Sequence, residues 1–389
     1  MIIKRLILEN WKNFPIVDVD LNDRVFIVGP NAAGKSNLLD SIRFLRDVVK
    51  QGGGLQYAVE NRGGIRKIRS LSARAISHVS IEMHLGEPND ETPKWKYKLV
   101  FKHTGGGLFK NEVAITRESV WSREKSDYIL NRPNAAEEDS ETLKYTHLEQ
   151  ITTNKGFREI YNFFSEIQYL HIVPQLVRDH NSYFLSKDKE DFYGRNFLEK
   201  ISVVNDRTKK AYLRSINEVL KLAVPQIESL EFKKDNVGIP HLEARYLHWR
   251  AKGNKQQEDQ FSDGTLRLIG LLWALLDGSE TVLLEEPEIN LHSEIIKQLP
   301  EFISSLQRRK SKTRQVIITT HSYEMLDNSG ISSEEILILI PSKEGTAIEV
   351  ASNLNEINSI IQAGFTPAQA TIKITSPKDI SKISQLKLF

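Results

Sequence analysis

The chain has 389 residues, 40% of them hydrophobic, enough to bury one large core or two smaller ones. Its 53 basic and 51 acidic residues leave a formal charge of +2, which argues against a uniformly basic nucleic-acid coat but leaves room for a local basic face. It has no cysteine, which excludes disulfides, thiolate metal sites and cysteine nucleophiles and fits a reducing compartment.

The opening MIIKRLILEN is too short in apolar length for a signal peptide. No run approaches the roughly 18 apolar residues of a membrane span, so a cytoplasmic protein without a membrane partner is expected. Residues 2–9 alternate and predict a strand, 16–21 its partner, and 24–29 a third strand buried on both faces. A glycine-bearing loop then leads to a helix over 35–49. Segments 75–85, 94–103 and 112–121 alternate and predict an antiparallel meander. Residues 131–142 are polar and read as an exposed loop, and 166–173 as an apolar strand ending at Pro174.

Helical spacing appears between 190 and 224, and Pro225 ends it. Residues 227–249 read as a hairpin and 251–260 as a polar loop. Residues 264–278 predict an apolar helix with Gly278 at its C-terminus. A buried strand (281–286), a helix (293–309), a second buried strand (315–321), a hairpin (336–350) and a last helix follow. The tail from Thr375 gives no clear pattern, and no internal repeat or long heptad run is present.

Residues 29–36, GPNAAGKS, match G-x-x-x-x-G-K-[ST] between an apolar strand and an amphipathic helix. Gly29 and Gly34 let the backbone wrap closely, so that amides and a helix N-terminus can cradle phosphates. Lys35 is placed to reach the β- and γ-phosphates of ATP, and Ser36 to bind Mg²⁺. Further on, VLLEEPEINLH sets carboxylates at the end of an apolar strand, where they cost desolvation energy unless something charged sits beside them. A nucleotide-bound metal meets that need, with Glu285 holding it and Glu286 acting as general base on the attacking water. QVIITTHS delivers His321 at a second strand end. Ser262 and Gly264 open an apolar helix whose free amides suit an anion, although alone they read as an ordinary cap.

In order along the chain, GPNAAGKS, FSDGT, LLEEPE and TTHS resemble an ABC-type ATPase head of the RecF/SMC branch. The likeness is close to the bacterial AAA family ATPase group that includes the OLD (overcoming lysogenisation defect) and PtuA-like proteins. LENWKNF is similar to that family's strand pair before the phosphate loop. The resemblance spans roughly 1–60 and 255–365 and is weaker between. It implies an α/β fold: a P-loop ABC-type ATPase head with a mixed sheet core, an antiparallel β subdomain and a helical insertion. The expected division is 1–175 and 226–389 for the two parts of the head, with 176–225 as the insertion.

Carried over by position, Gly29, Pro30, Asn31, Ala32, Ala33, Gly34, Lys35, Ser36 and Asn37 stand at Walker A. Ser262, Asp263 and Gly264 stand at the signature, which the family uses on its partner's ATP. Glu285 and Glu286 stand at Walker B and the catalytic glutamate, and Asn290, Leu291 and His292 at the D-loop. His321 stands at the switch histidine. Lys35, Glu286 and His321 are then the expected catalytic set. For the Q-loop glutamine, a metal and nucleotide contact, Gln175 is favoured over Gln168 because it follows a strand end. FSDGT in place of LSGGQ argues against a transporter subunit. Glu285 stands where most ABC proteins have Asp, and the extra methylene suits coordination through water.

The resemblance further implies a homodimer, or a higher oligomer, with two ATP molecules sandwiched between heads. Three roles follow as expectations. One is an ATPase switch controlling a separate effector, a nuclease or toxin, in antiviral defence; no nuclease motif follows His321 in this chain. Another is a RecF-like DNA-repair ATPase binding nucleic acid through basic runs such as 209–214 and 308–314. The third is a nucleotide-dependent scaffold with little turnover.

Overall fold

The computed structural model describes residues 1–74, 76–104, 112–134, 138–178, 194–248, 254–278, 281–309 and 314–375. β1 (Ile2–Trp11) buries Leu6 and Leu8 and turns through Lys12 and Asn13 into antiparallel β2 (Phe14–Asp20). β3 (Arg24–Val28) is buried at every position, as a strand covered on both faces must be. The chain then enters α1 (Lys35–Val49), followed by the short α2 (Leu55–Glu60) and α3 (Ile65–Ile68). The meander is β4 (His78–Gly86), β5 (Trp95–His103), β6 (Val113–Ser122) and β7 (Asp127–Arg132). β7 was not expected from sequence. It is an exposed edge with only Arg132 buried, so it lacks the apolar alternation that marks a strand.

α4 (Arg158–Ser165) leads to β8 (Gln168–Leu170) and α5 (Pro174–Arg178). The strand expected over 166–173 is thus three residues long. Glu166 still closes α4, and the chain leaves the sheet after Leu170. α6 (Phe197–Val203) and α7 (Asp206–Ala223) precede β9 (Ile227–Lys234), β10 (Pro240–Tyr246) and β11 (Lys255–Gln257); Leu213 of α7 and Leu242 of β10 share a second core with Trp273. The last elements are α8 (Asp263–Leu276), β12 (Val282–Glu285), α9 (Ser293–Arg309), β13 (Val316–Thr319), α10 (Tyr323–Leu326), β14 (Ile336–Ser342), β15 (Gly345–Val350), α11 (Asn355–Gln362) and α12 (Pro367–Thr375).

Two six-stranded sheets result. The antiparallel one runs β2-β1-β4-β5-β6-β7, and the mixed one β15-β14-β3-β13-β12-β8, with only β15 antiparallel. Successive residues of the mixed sheet serve opposite faces. Ile27, Leu283 and Ile317 pack toward α1 and the antiparallel sheet, while Val28, Leu284 and Ile318 pack toward α9. β3, β13 and β12 are adjacent and parallel, so the residues leaving their C-terminal ends must meet. No helix among the described residues is long and apolar enough to cross a membrane.

Candidate nucleotide site

Residues 29–34 leave β3 and enter α1 through Gly34 at φ +102°, a conformation that favours glycine. A Cβ there would also lie 2.2 Å from Asn13 Nδ2. Asn13, in the β1–β2 turn, holds the loop from beneath. Its Nδ2 donates to the Ala33 carbonyl (2.8 Å) and to Thr346 Oγ1 (2.9 Å), and its Oδ1 accepts from Asn37 Nδ2 (2.7 Å). Gly29, Pro30, Asn31 and Ala32 form the rest of the loop, with Ala32 at φ +61°. The amides of Asn31, Ala32 and Gly34 donate to no acceptor among the described residues, the arrangement an anion cradle requires.

Lys35 folds back over this loop. Its Nζ donates to the carbonyls of Gly29 (3.0 Å) and Pro30 (3.3 Å). Burial pulls its pKa down to about 8 against the opposing charges of Glu286, Glu288 and Glu285.

The acids at the end of β12 face this lysine and the loop. Ser36 Oγ donates to Glu285 Oε1 at 2.5 Å, and the Tyr169 hydroxyl donates to Glu285 Oε2. Glu286 sits at φ +43°, its amide bonded to the Thr319 carbonyl (3.0 Å), so the chain rolls out of the sheet there. Its carboxylate Oε1 lies 2.9 Å from His321 Nε2. His321 leaves β13 with Nδ1 3.2 Å from Lys35 Nζ. Lys35 is a donor and Glu286 an acceptor, so the two partners select the neutral tautomer with its proton on Nε2. Burial pushes the His321 pKa down and Lys35 adds to that, while Glu286 opposes it.

The turn before α8 is built differently. Ser262 caps the helix, accepting from the Thr265 amide at 3.2 Å. Asp263 accepts from Arg178 Nη2 (2.6 Å) and Gln175 Nε2 (3.1 Å). At Gly264 a Cβ would stand 2.5 Å from the Asn290 carbonyl, so only glycine lets the 286–292 turn approach this closely. Among the described residues, no hydrogen bond joins Ser262, Asp263 or Gly264 to the phosphate loop. Gln175 is turned to this turn and makes no hydrogen bond with Ser36 or Glu285. Gln168 lies at the other end of its strand, paired with Val282 and accepting from Arg314 Nη2. The β8 side chain on Glu285 is Tyr169.

Sequence reasoning missed Asn13 and Tyr169. Tyr169 lies in the apolar strand expected over 166–173, but nothing in the sequence places that strand beside the acids; the pairing of β8 with β12 does. Asn13 lies in LENWKNF, the stretch similar to the family's strand pair, but nothing in that stretch marks its contact with the phosphate loop.

The profile of the family described as "AAA domain, putative AbiEii toxin, Type IV TA system" matches residues 24–327, from β3 to just past His321. The chain belongs to this family. Among curated proteins no sequence matches this AAA-domain chain. Among solved structures, one similar to it is the SmcHead bound to the C-winged helix domain of ScpA: 17% identity, 90% of this chain and 97% of that one covered, TM-score 0.50. Others are the SMC head domain from Thermotoga maritima (16% identity, 90% and 99% covered, TM-score 0.43) and the Smc head domain from Pyrococcus furiosus bound to the C-terminal domain of ScpA (14%, 93% and 99%, TM-score 0.45). The chain thus carries an AAA domain whose fold is similar to that of an SMC head, the kind of fold that the motif order implied.

Proposed function

We propose that this chain binds Mg-ATP and hydrolyses it, closing as a head-to-head homodimer, and that this cycle is a switch controlling a separate effector in antiviral defence, as in PtuA-like or OLD-like systems. One observation carries the catalytic part. Three adjacent strand ends put Lys35, His321 and Glu286 in one hydrogen-bonded row beside a glycine loop. In this reading the head comprises 1–175 and 226–389, with 176–225 inserted, and works in the cytoplasm.

Lys35 gives up the Gly29 and Pro30 carbonyls for the β- and γ-phosphates, and the free loop amides take phosphate oxygens. Glu286 accepts the proton of the attacking water, while His321 holds Glu286 in place through Nε2–H and faces the γ-phosphate. Ser36 and Glu285 offer a hydroxyl and a carboxylate oxygen 2.5 Å apart, hard donors in the small number that Mg²⁺ takes from protein. Bound there, Mg²⁺ neutralises developing phosphate charge. Gln175 is held by Asp263, and a contact to that ion would require releasing it. The signature turn, tied to α5 and not to its own phosphate loop, leaves the N-terminus of the 14-residue α8 for a partner's nucleotide.

A second reading, direct DNA binding by a RecF-like ATPase, has one specific support. A cleft of about 1100 Å³ runs beside Asn13 and Asn37 and is lined by Arg66, Lys67, Arg69 and Lys343. The basic run 209–214 supports it less, because Lys209 is buried against Phe232 and paired with Asp206. Residues 310–313 of the other run lie outside the described residues.

Light scattering of wild type and Glu286→Gln with and without Mg-ATP, alongside phosphate release, tests the proposal. A dimer locked by ATP in the variant, with turnover lowered by about 10²-fold or more, is expected. Assembly and phosphate release that ignore ATP and Glu286 would overturn it. An ATP-driven dimer with negligible turnover in both proteins would leave the scaffold role instead.

A further inference from the structure

Glu288 is an acid the proposed chemistry does not use. It lies three residues past Glu285, in the turn that Glu286 and Asn290 form with positive φ angles. That turn carries its carboxyl inward, and the residue is 8% exposed. An inward carboxylate costs several kcal/mol of desolvation unless it is bonded. Its Oε1 accepts two bonds, from Thr320 Oγ1 at 2.5 Å and from the His321 amide at 3.0 Å. Thr320 Oγ1 in turn accepts from the Ser322 amide at 3.0 Å. One carboxylate oxygen therefore fixes the backbone on which His321 stands and, through Thr320, the residue after it.

The second oxygen of Glu288 is buried and has no hydrogen-bond partner among the described residues. Burial and the Glu286 charge push the Glu288 pKa up, while the bonds from Thr320 and His321 pull it down. The charged groups coupled to this carboxyl are Glu286, Lys35 and Arg267 of α8. Packing alone does not explain such a residue, since an apolar side chain would fill the place without an unpaired oxygen.

We propose that Glu288 is a positioning residue for hydrolysis: its Oε1 locks the exit of β13 so that the His321 ring sits between Lys35 and Glu286. The lock joins the turn after the acidic strand to the strand that delivers the histidine. It acts through hydrogen-bond acceptance, so an amide that keeps the acceptor can replace it and a methyl cannot. This rests on the catalytic reading above. It has its own signature, because the histidine is misplaced even when no nucleotide is bound.

The test compares Glu288→Ala, Glu288→Gln and Thr320→Val with wild type in the full chain. Turnover, KM and Mg-ATP affinity are measured, and the His321 ring is followed by NMR without nucleotide, assigned with His321→Ala. In Glu288→Ala and Thr320→Val, kcat falls about tenfold or more with KM and affinity held, and the His321 signals shift. Glu288→Gln keeps kcat within about threefold and leaves the His321 signals in place. Thr320→Val covers the case in which Glu288→Ala does not fold. Unchanged His321 signals in both disruptive variants would overturn the proposal, and so would a Gln variant as slow as Ala, which would assign the role to charge. Absence of wild-type turnover with shifted His321 signals would overturn the ATPase reading and leave the lock standing.

Discussion

His321 Nε2 stands 2.9 Å from the Glu286 carboxylate, and that distance fixes which proton the ring carries. Lys35 beside Nδ1 requires an acceptor there, so the ring is neutral with its proton directed at Glu286. Its pKa lies below the ordinary 6.5, so the neutral ring persists at pH 7 and is lost only in acid. Turnover is therefore expected to be level near neutrality and to fall on the acid side of 6.5. His321→Ala should cost about 10²-fold in kcat with ATP affinity retained. Stability follows the same sign. Below 6.5 the unfolded histidine binds a proton that the folded one refuses, so stability falls as pH drops through that window. Urea titrations of wild type and His321→Ala between pH 5 and 7 check this, since the variant should lose the dependence assigned to the ring.

Lys35 is the opposite case to a lysine gaining a partner. Burial lowers its pKa to about 8, so near pH 8 it is half protonated in the free protein. Phosphate oxygens favour the ammonium form, so binding Mg-ADP at pH 8 should take up about half a proton from solution. Calorimetry in two buffers of different ionisation enthalpy measures it. Lys35→Met should abolish the uptake and weaken binding. Equal heats in both buffers for wild type would show that Lys35 does not meet the phosphates. Between pH 8 and 10.5 the unfolded lysine binds the proton and the folded one does not, so this residue's burial penalty fades as pH rises.

The places of the core strands along the chain and the four motifs were legible in sequence because each is local, whereas the order of the strands in the sheet was not. Residues 25–28 and 316–318 are uniformly apolar since both faces of the mixed sheet are covered, and GPNAAGKS follows the first of these strands. The partners of those motifs were not legible. Asn13 reaches Ala33 and Thr346 across 20 and 333 residues, and Tyr169 reaches Glu285 across 116. No periodicity encodes such pairs. Gln175 was chosen for its place after a strand, but α5 turns it to Asp263, a contact set by the packing of α5 on α8.

Asn13 makes the long-range pairs measurable. It bonds the loop carbonyl at Ala33, the Asn37 side chain and Thr346 of β15, tying the phosphate loop to both sheets. Asn13→Ala removes all three bonds and leaves the Ala33 carbonyl and the Asn37 amide short of a partner. A loss of about 1–3 kcal/mol is expected from that mechanism. The loop should also lose its fixed shape, so Mg-ATP affinity falls more than kcat. Chemical denaturation and a KM-against-kcat comparison check both parts. A variant with wild-type stability and affinity would show that the loop holds its form without this turn.

Gly264 tests whether the signature turn acts on a partner's nucleotide. The Asn290 carbonyl would lie 2.5 Å from a Cβ at this position, so Gly264→Ala must push the 286–292 turn away from the start of α8. The phosphate loop, Lys35 and Ser36 share no hydrogen bond with Gly264 and should stay in place, while Glu286 and Glu288 move with the turn, so nucleotide binding and assembly, not turnover, are the readouts. Binding of Mg-ATP to the isolated subunit is then expected to be unchanged. Closure should fail, because the amides at the N-terminus of α8 no longer hold the position a second nucleotide needs. In light scattering, Gly264→Ala combined with Glu286→Gln should stay monomeric in Mg-ATP while Glu286→Gln alone dimerises. Mixing the double variant with a chain carrying only Lys35→Met separates the two surfaces. That mixture has one intact phosphate loop and one intact signature turn, on different subunits, and those two meet in a single sandwich. A heterodimer holding one nucleotide is the outcome expected of a site completed in trans. If the double variant dimerises as well as its parent, α8 does not face the partner's nucleotide, and the closure has to run through another surface.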